Sequence, residues 1–127
     1  MDDREQRDNP IVTMFEWWNR AMAPDGELSQ EAFAEHYCED GTLIVNGSVR
    51  AIGPAALVEH YRGVKSRCDH VEMVLPVEEA FTCSDRAFVH CRTSVSIAGS
   101  ASAEEAMAYA VLRNGKMALL RVVSKSV

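Results

Sequence analysis

The chain has 127 residues, 47% apolar and 25% charged, with a formal net charge of −6. That is enough for one domain with a real core and too little for two, and the acidic balance repels phosphate backbones, which excludes nucleic acid as an expected partner. No apolar run approaches the roughly 18–20 residues of a membrane span, and the acidic, charged start does not read as a secretory signal, so a cytoplasmic protein with no membrane partner is expected.

Residues 1–8 read as a solvated tail and 9–127 as a single domain. Asn9 can cap a helix with Pro10 at its first position, and Ile11, Phe15, Trp18 and Met22 recur at helical spacing, widened by Met14 and Ala21. Pro24-Asp25-Gly26 ends it. Ser29 caps a second helix carrying Phe33 and Tyr37 on one face, and Asp40-Gly41 is expected to close it. Thr42 to Val45 and Val49 to Ile52 are β-branched runs around Asn46-Gly47, a type I′ hairpin signal. Gly53-Pro54 opens a third helix with the stripe Leu57, Tyr61, Val64.

From Asp69 the period becomes two: Val71, Met73 and Leu75 alternate up to Pro76. Ser84-Asp85 turns into a strand from Arg86 to Ile97, residues 98–102 read as a longer turn, and Glu104–Arg113 and Lys116–Ser124 form a hairpin around Asn114-Gly115. The pattern is α+β: three helices, then four long antiparallel strands bent beneath them. Cys38, Cys68, Cys83 and Cys91 lack the close spacing of a metal or redox site, so free thiols, no metal and no cofactor are expected.

The Asn114-Gly115 turn predicts a register. A two-residue loop sets Leu112 opposite Met117, Ala110 opposite Leu119 and Ala108 opposite Arg121. One face then carries Ala106, Ala108, Ala110, Leu119, Arg121 and Val123; the other carries Met107, Tyr109, Val111, Leu120 and Val122. Both are apolar, so one should line a helix-covered cavity and the other a partner subunit, giving a homodimer.

Tyr37-Cys38-Glu39-Asp40-Gly41-Thr42-Leu43, Gly53-Pro54-Ala55-Ala56-Leu57, Asp85-Arg86-Ala87-Phe88-Val89 and Arg113-Asn114-Gly115-Lys116-Met117-Ala118, in that order, resemble the nuclear transport factor 2-like superfamily. Within it they resemble the SnoaL-like group of polyketide cyclases and ketosteroid isomerases. The resemblance implies a cystatin-like, cone-shaped roll, with three N-terminal helices packed on a strongly bent, mostly antiparallel sheet around a pocket. It also implies where chemistry would sit. The isomerases' general-base Asp falls at about Val45, their acidic oxyanion donor at about Ala108, and their helix Tyr near Phe15 to Trp18. The cyclases' catalytic Asp falls at about Val123. None of these residues transfers a proton, and the chemistry needs a base and an acid within reach.

The same comparison puts Ala108 and Val123 on the inner face, which brings Arg121 inward as its one charge. Arg121 is an anchor for a carboxylate or enolate, the partner of a helix acid such as Glu16 or Glu35, or a rim residue that snorkels to water. Phe15, Trp18, Val45, Tyr61, Ala108, Arg121 and Val123 are the expected pocket residues, with Tyr61 as a neutral donor and no catalytic residue assigned. The expected function is binding of a small hydrophobic ligand. One alternative is an isomerase, cyclase or dehydratase acting on a hydrophobic carbonyl compound through His90, Tyr61 or Arg121. Another is a structural dimer whose cavity is filled by Met14, Met22 and Trp18.

Overall fold

A computed structural model describes residues 8–127; the expected tail lies almost wholly outside them. Helix α1 spans Pro10–Met22, and Asn9 caps it as expected, its side chain accepting from the Ile11 and Val12 amides. The stripe Ile11, Met14, Phe15, Trp18, Ala21 and Met22 is buried. Asn9 Nδ2 also donates to the carbonyls of Phe81 (3.3 Å) and Phe88 (3.1 Å), which pins the start of α1 to the sheet. At the other end of α1, Lys65 Nζ donates to the carbonyls of Ala21 and Gly26, satisfying groups that a helix end leaves open.

Helix α2 is Gln30–His36, capped by Ser29, which accepts from the Ala32 amide. It ends before Asp40-Gly41: Tyr37 to Gly41 already belong to strand β1, Tyr37–Val45. The reason is a long-range pairing, because β1 runs parallel to the last strand with Tyr37 beside Met117. Strand β2 is Ser48–Ile52, and the hairpin between has positive φ at both Asn46 (50°) and Gly47 (82°), as a type I′ turn requires. Helix α3, Pro54–Arg67, buries Leu57 and Val58.

The remaining strands are β3 His70–Met73, β4 Glu79–Cys83, β5 Arg86–Ile97, β6 Ser100–Arg113 and β7 Lys116–Ser126. Five strands follow α3 among the described residues, where the alternation predicts four. The chain bends at Leu75-Pro76, and the two short strands share one edge of β5: β4 pairs with Arg86–His90 and β3 with Thr93–Ser96. The expected long turn is a two-residue one at Ala98-Gly99, again with positive φ at both residues. The seven strands form one sheet in the order β2-β1-β7-β6-β5-β3, antiparallel except for β1 beside β7, with β4 also on β5. The three helices cover one side of it, which makes the α+β cone-shaped roll the sequence predicts.

Candidate functional site

Pair register defines the concave face. Ala87, Val89, Cys91 and Thr93 of β5 lie opposite Ala110, Ala108, Ala106 and Glu104 of β6, which lie opposite Leu120, Val122, Ser124 and Ser126 of β7. Opposed residues share a face, and the burial of Ala87, Val89, Ala108, Ala110 and Leu120 identifies it as the helix-covered one. On β1, Leu43 and Val45 join this face beside Leu120 and Val122.

Three alanines on β6 leave room that helix side chains enter. Tyr61 stacks on Phe33 (5.7 Å between ring centres) and meets Trp18 edge-on at 5.8 Å; Phe15 packs against Trp18, and Tyr37 tilts against Phe33. Trp17 meets Phe33 edge-on at 4.8 Å and stacks on His36, where α1 and α2 come together. The interior is therefore an aromatic cluster over a small-residue floor.

Among the described residues, two polar atoms within it find no partner: Trp18 Nε1 and the Tyr37 hydroxyl are buried and make no hydrogen bond there. Burial, helped by the nearby Tyr61, holds the Tyr37 phenol well above its usual range, and burial does the same to Tyr61. Both stay protonated and can act as donors. Burial also pushes the Cys91 thiol up to about 11, so at neutral pH it is an inert thiol directed at the Ala106 carbonyl (3.8 Å).

Of the residues expected to line the pocket, the structure brings Phe15, Trp18, Val45, Tyr61 and Ala108 to the concave side and sends Arg121 and Val123 to the other. The cause is a bulge. Leu112 is opposite Met117, as the turn dictates, but Val111 is opposite Leu119, so Ala118 is skipped and every later pair slips by one. Arg121 thus pairs with Tyr109 and is exposed, Val123 is 58% exposed, and Leu120, expected outside, is buried. Arg121 neither anchors a ligand inside nor pairs with Glu16 or Glu35. His90 lies on the convex face, its Nε2 2.9 Å from Glu105, which the hydrogen bond holds below the usual carboxylate range.

Two concave residues escape the sequence reading. Tyr37 reads as helix core, whereas its place at the start of β1 aims it inward; Glu104 follows from alternation, two residues before Ala106. A surface cleft of about 480 Å³ lies between α2, β2 and the start of α3, lined by Gln30, Glu31, Glu39 and Ile52 among others. It contains none of the expected pocket residues.

No protein-family model and no curated protein matches the sequence. Solved structures do. A SnoaL-like polyketide cyclase candidate from Jannaschia superimposes with a TM-score of 0.75 at 15% identity, over 96% of this chain and 86% of the other. A nuclear transport factor 2-like protein of unknown function from Exiguobacterium gives 0.72 at 16% identity, over 91% and 98%. A hypothetical protein of ketosteroid isomerase-like fold from Catenulispora acidiphila, seen in complex with trimethylamine, gives 0.69 at 13%, over 86% and 82%. At these identities the likeness speaks to architecture alone: the chain has the nuclear transport factor 2-like fold in the form shared by SnoaL-like and ketosteroid isomerase-like proteins.

Proposed function

We propose that this SnoaL-like domain binds a small, mainly apolar molecule inside the cone, with an acceptor oxygen of that molecule at the Trp18 and Tyr37 donors. The observation that carries this is the pair of buried donors without acceptors. Each costs about 1–3 kcal/mol when left unmade, and a ligand oxygen that reaches either donor recovers that cost.

Catalysis by the family's usual carboxylates has no support at Val45 and Ala108, which are concave but apolar. The alternative residues fare no better. His90 and Arg121 sit on the convex side, and Tyr61 and Cys91 hold their protons. Binding is the reading we adopt, with isomerase, cyclase or dehydratase activity the competing one.

We also propose that two copies pair through the convex face. Phe81, Phe88, Met107 and Val123 are exposed on it at 43%, 36%, 60% and 58%, and an apolar patch of that kind marks an association surface in soluble proteins. Four free cysteines suit a reducing, cytoplasmic setting. Separately, no helix among the described residues is long and apolar enough to cross a membrane.

The binding claim is tested with methyl nonyl ketone, followed by fluorescence and calorimetry. Wild type is expected to bind it. Trp18→Phe and Tyr37→Phe should each weaken binding by about tenfold, the worth of one buried hydrogen bond. Undiminished binding by both variants, or none by wild type, defeats the proposal, and turnover of the ketone favours the enzymatic alternative.

A further inference from the structure

A smaller cleft, of about 240 Å³, opens at the C-terminal ends of α1 and α3. Met22 and Pro24 bound it on one side, Lys65 and Cys68 on another, and Val71 of β3 on a third. One helical turn back, about 5.4 Å, α1 carries Trp18 and α3 carries Tyr61, and these two rings meet edge-on at 5.8 Å. The pair therefore lies beneath the cleft. Met22 stands between, because a helical side chain leans back over the residue four positions before it. It is 3% exposed and covers the Trp18 indole, whose N–H finds no acceptor among the described residues.

Polar ties hold the walls of this cleft. Asn19 on α1 donates to the Met73 carbonyl (2.9 Å) and accepts from the Met73 amide (2.8 Å), which fixes α1 to β3. The Lys65 ammonium donates to the carbonyls of Ala21 (3.0 Å) and Gly26 (2.7 Å), which fixes α3 to the end of α1. Within that frame Met22 is unbranched and adaptable, so it is the piece that can move. The same ties decide what can enter. Lys65 has its charge engaged and presents its stem, Asp69 accepts from the Gly99 amide (2.8 Å), and His70 lies 3.9 Å from Glu72. Met22, Pro24, Cys68 and Val71 are left to receive a ligand, and they suit a neutral, apolar one.

We infer that this cleft is the ligand's way in and the seat of its outer end, and that Met22 swings aside to join the cleft to the Trp18 donor. The inference rests on the binding function proposed above and adds its route and the chemistry of the ligand's outer half. Size supports it. A volume of about 240 Å³ falls below the roughly 300–1,000 Å³ of ordinary ligand pockets, so the cleft alone seats part of a ligand and the rest reaches inward past Met22. The larger cleft beside α2 has the volume, but no residue of α1 lines it.

The test uses methyl nonyl ketone and two readouts. N-ethylmaleimide labelling of the native protein, read by peptide mass spectrometry, reports on the half-buried Cys68 in the cleft, with the exposed Cys83 as control. Ketone at about ten times its dissociation constant should slow Cys68 labelling about tenfold, the fraction of protein left free, and leave Cys83 unchanged. Stopped-flow fluorescence reports on Met22: Met22→Ala should associate with the ketone about tenfold faster, since no side-chain movement then precedes binding. If Met22→Ala does not fold, Met22→Leu keeps the volume with a stiffer side chain and should associate more slowly than wild type. Unprotected Cys68 in a protein that binds the ketone overturns the inference while the binding function stands. So does an association rate that the Met22 variant leaves unchanged. If wild type does not bind the ketone by calorimetry, the binding function falls and this inference falls with it.

Discussion

Asn9 is completely buried and commits its whole side chain to backbone groups: Oδ1 accepts from the first turn of α1, and Nδ2 donates to Phe81 and Phe88 on β4 and β5. Losing a cap costs about 0.5–2 kcal/mol, and the stranded carbonyls add to it. Asn9→Ala should therefore lower stability by about 2–3 kcal/mol in urea unfolding. Tyr37 behaves in the opposite sense. Its hydroxyl is buried and unpaired, so Tyr37→Phe should leave the empty protein as stable as wild type or about 1 kcal/mol more stable while weakening ketone binding. A stability loss would mean that the hydroxyl has a partner after all. The thiols differ as well: Cys83 is exposed, whereas Cys91 is buried, and that burial pushes its thiol up to about 11. At pH 8, iodoacetamide should label Cys83 and spare Cys91, with mass spectrometry of peptides as the readout.

Elements with local signals are legible in the sequence, and those set by distant pairing are not. Asn9-Pro10, Asn46-Gly47, Gly53-Pro54 and Asn114-Gly115 each carry their own backbone preference and mark real boundaries. Tyr37 to Gly41 become strand because β7 lies beside them, which nothing local announces. Ala118 gives no sign that it is bulged, since the residue skipped in a ladder needs no special chemistry there. That single slip moved Arg121 out of the site and Leu120 into it, because side chains alternate with a period of two. The other five expected pocket residues lie on the concave side. The inner and outer assignments predict opposite outcomes for neighbours: Leu120→Ala should destabilise by about 2–5 kcal/mol as a core truncation, whereas Arg121→Met should leave ketone affinity unchanged.

At the scale of the molecule the sheet has two apolar sides with different fates. The concave side is filled by helices and aromatic rings. The convex side exposes Met107 and Val123 beside Phe88, which stacks on Phe81 at 4.9 Å and touches Tyr109 at 5.1 Å. Sedimentation at micromolar concentration should find a dimer, and Met107→Glu should give a folded monomer by placing an unpaired charge in the contact. A wild-type monomer would rule out the pairing. The binding cone remains the central claim, and the Trp18 indole N–H reports on it directly. In a nitrogen-15 correlation spectrum, methyl nonyl ketone should shift the Trp18 indole signal downfield as it gains an acceptor, and leave that of Trp17, which stacks on His36, nearly in place. An unmoved Trp18 signal at saturating ketone, or a shift confined to Trp17, would contradict the account.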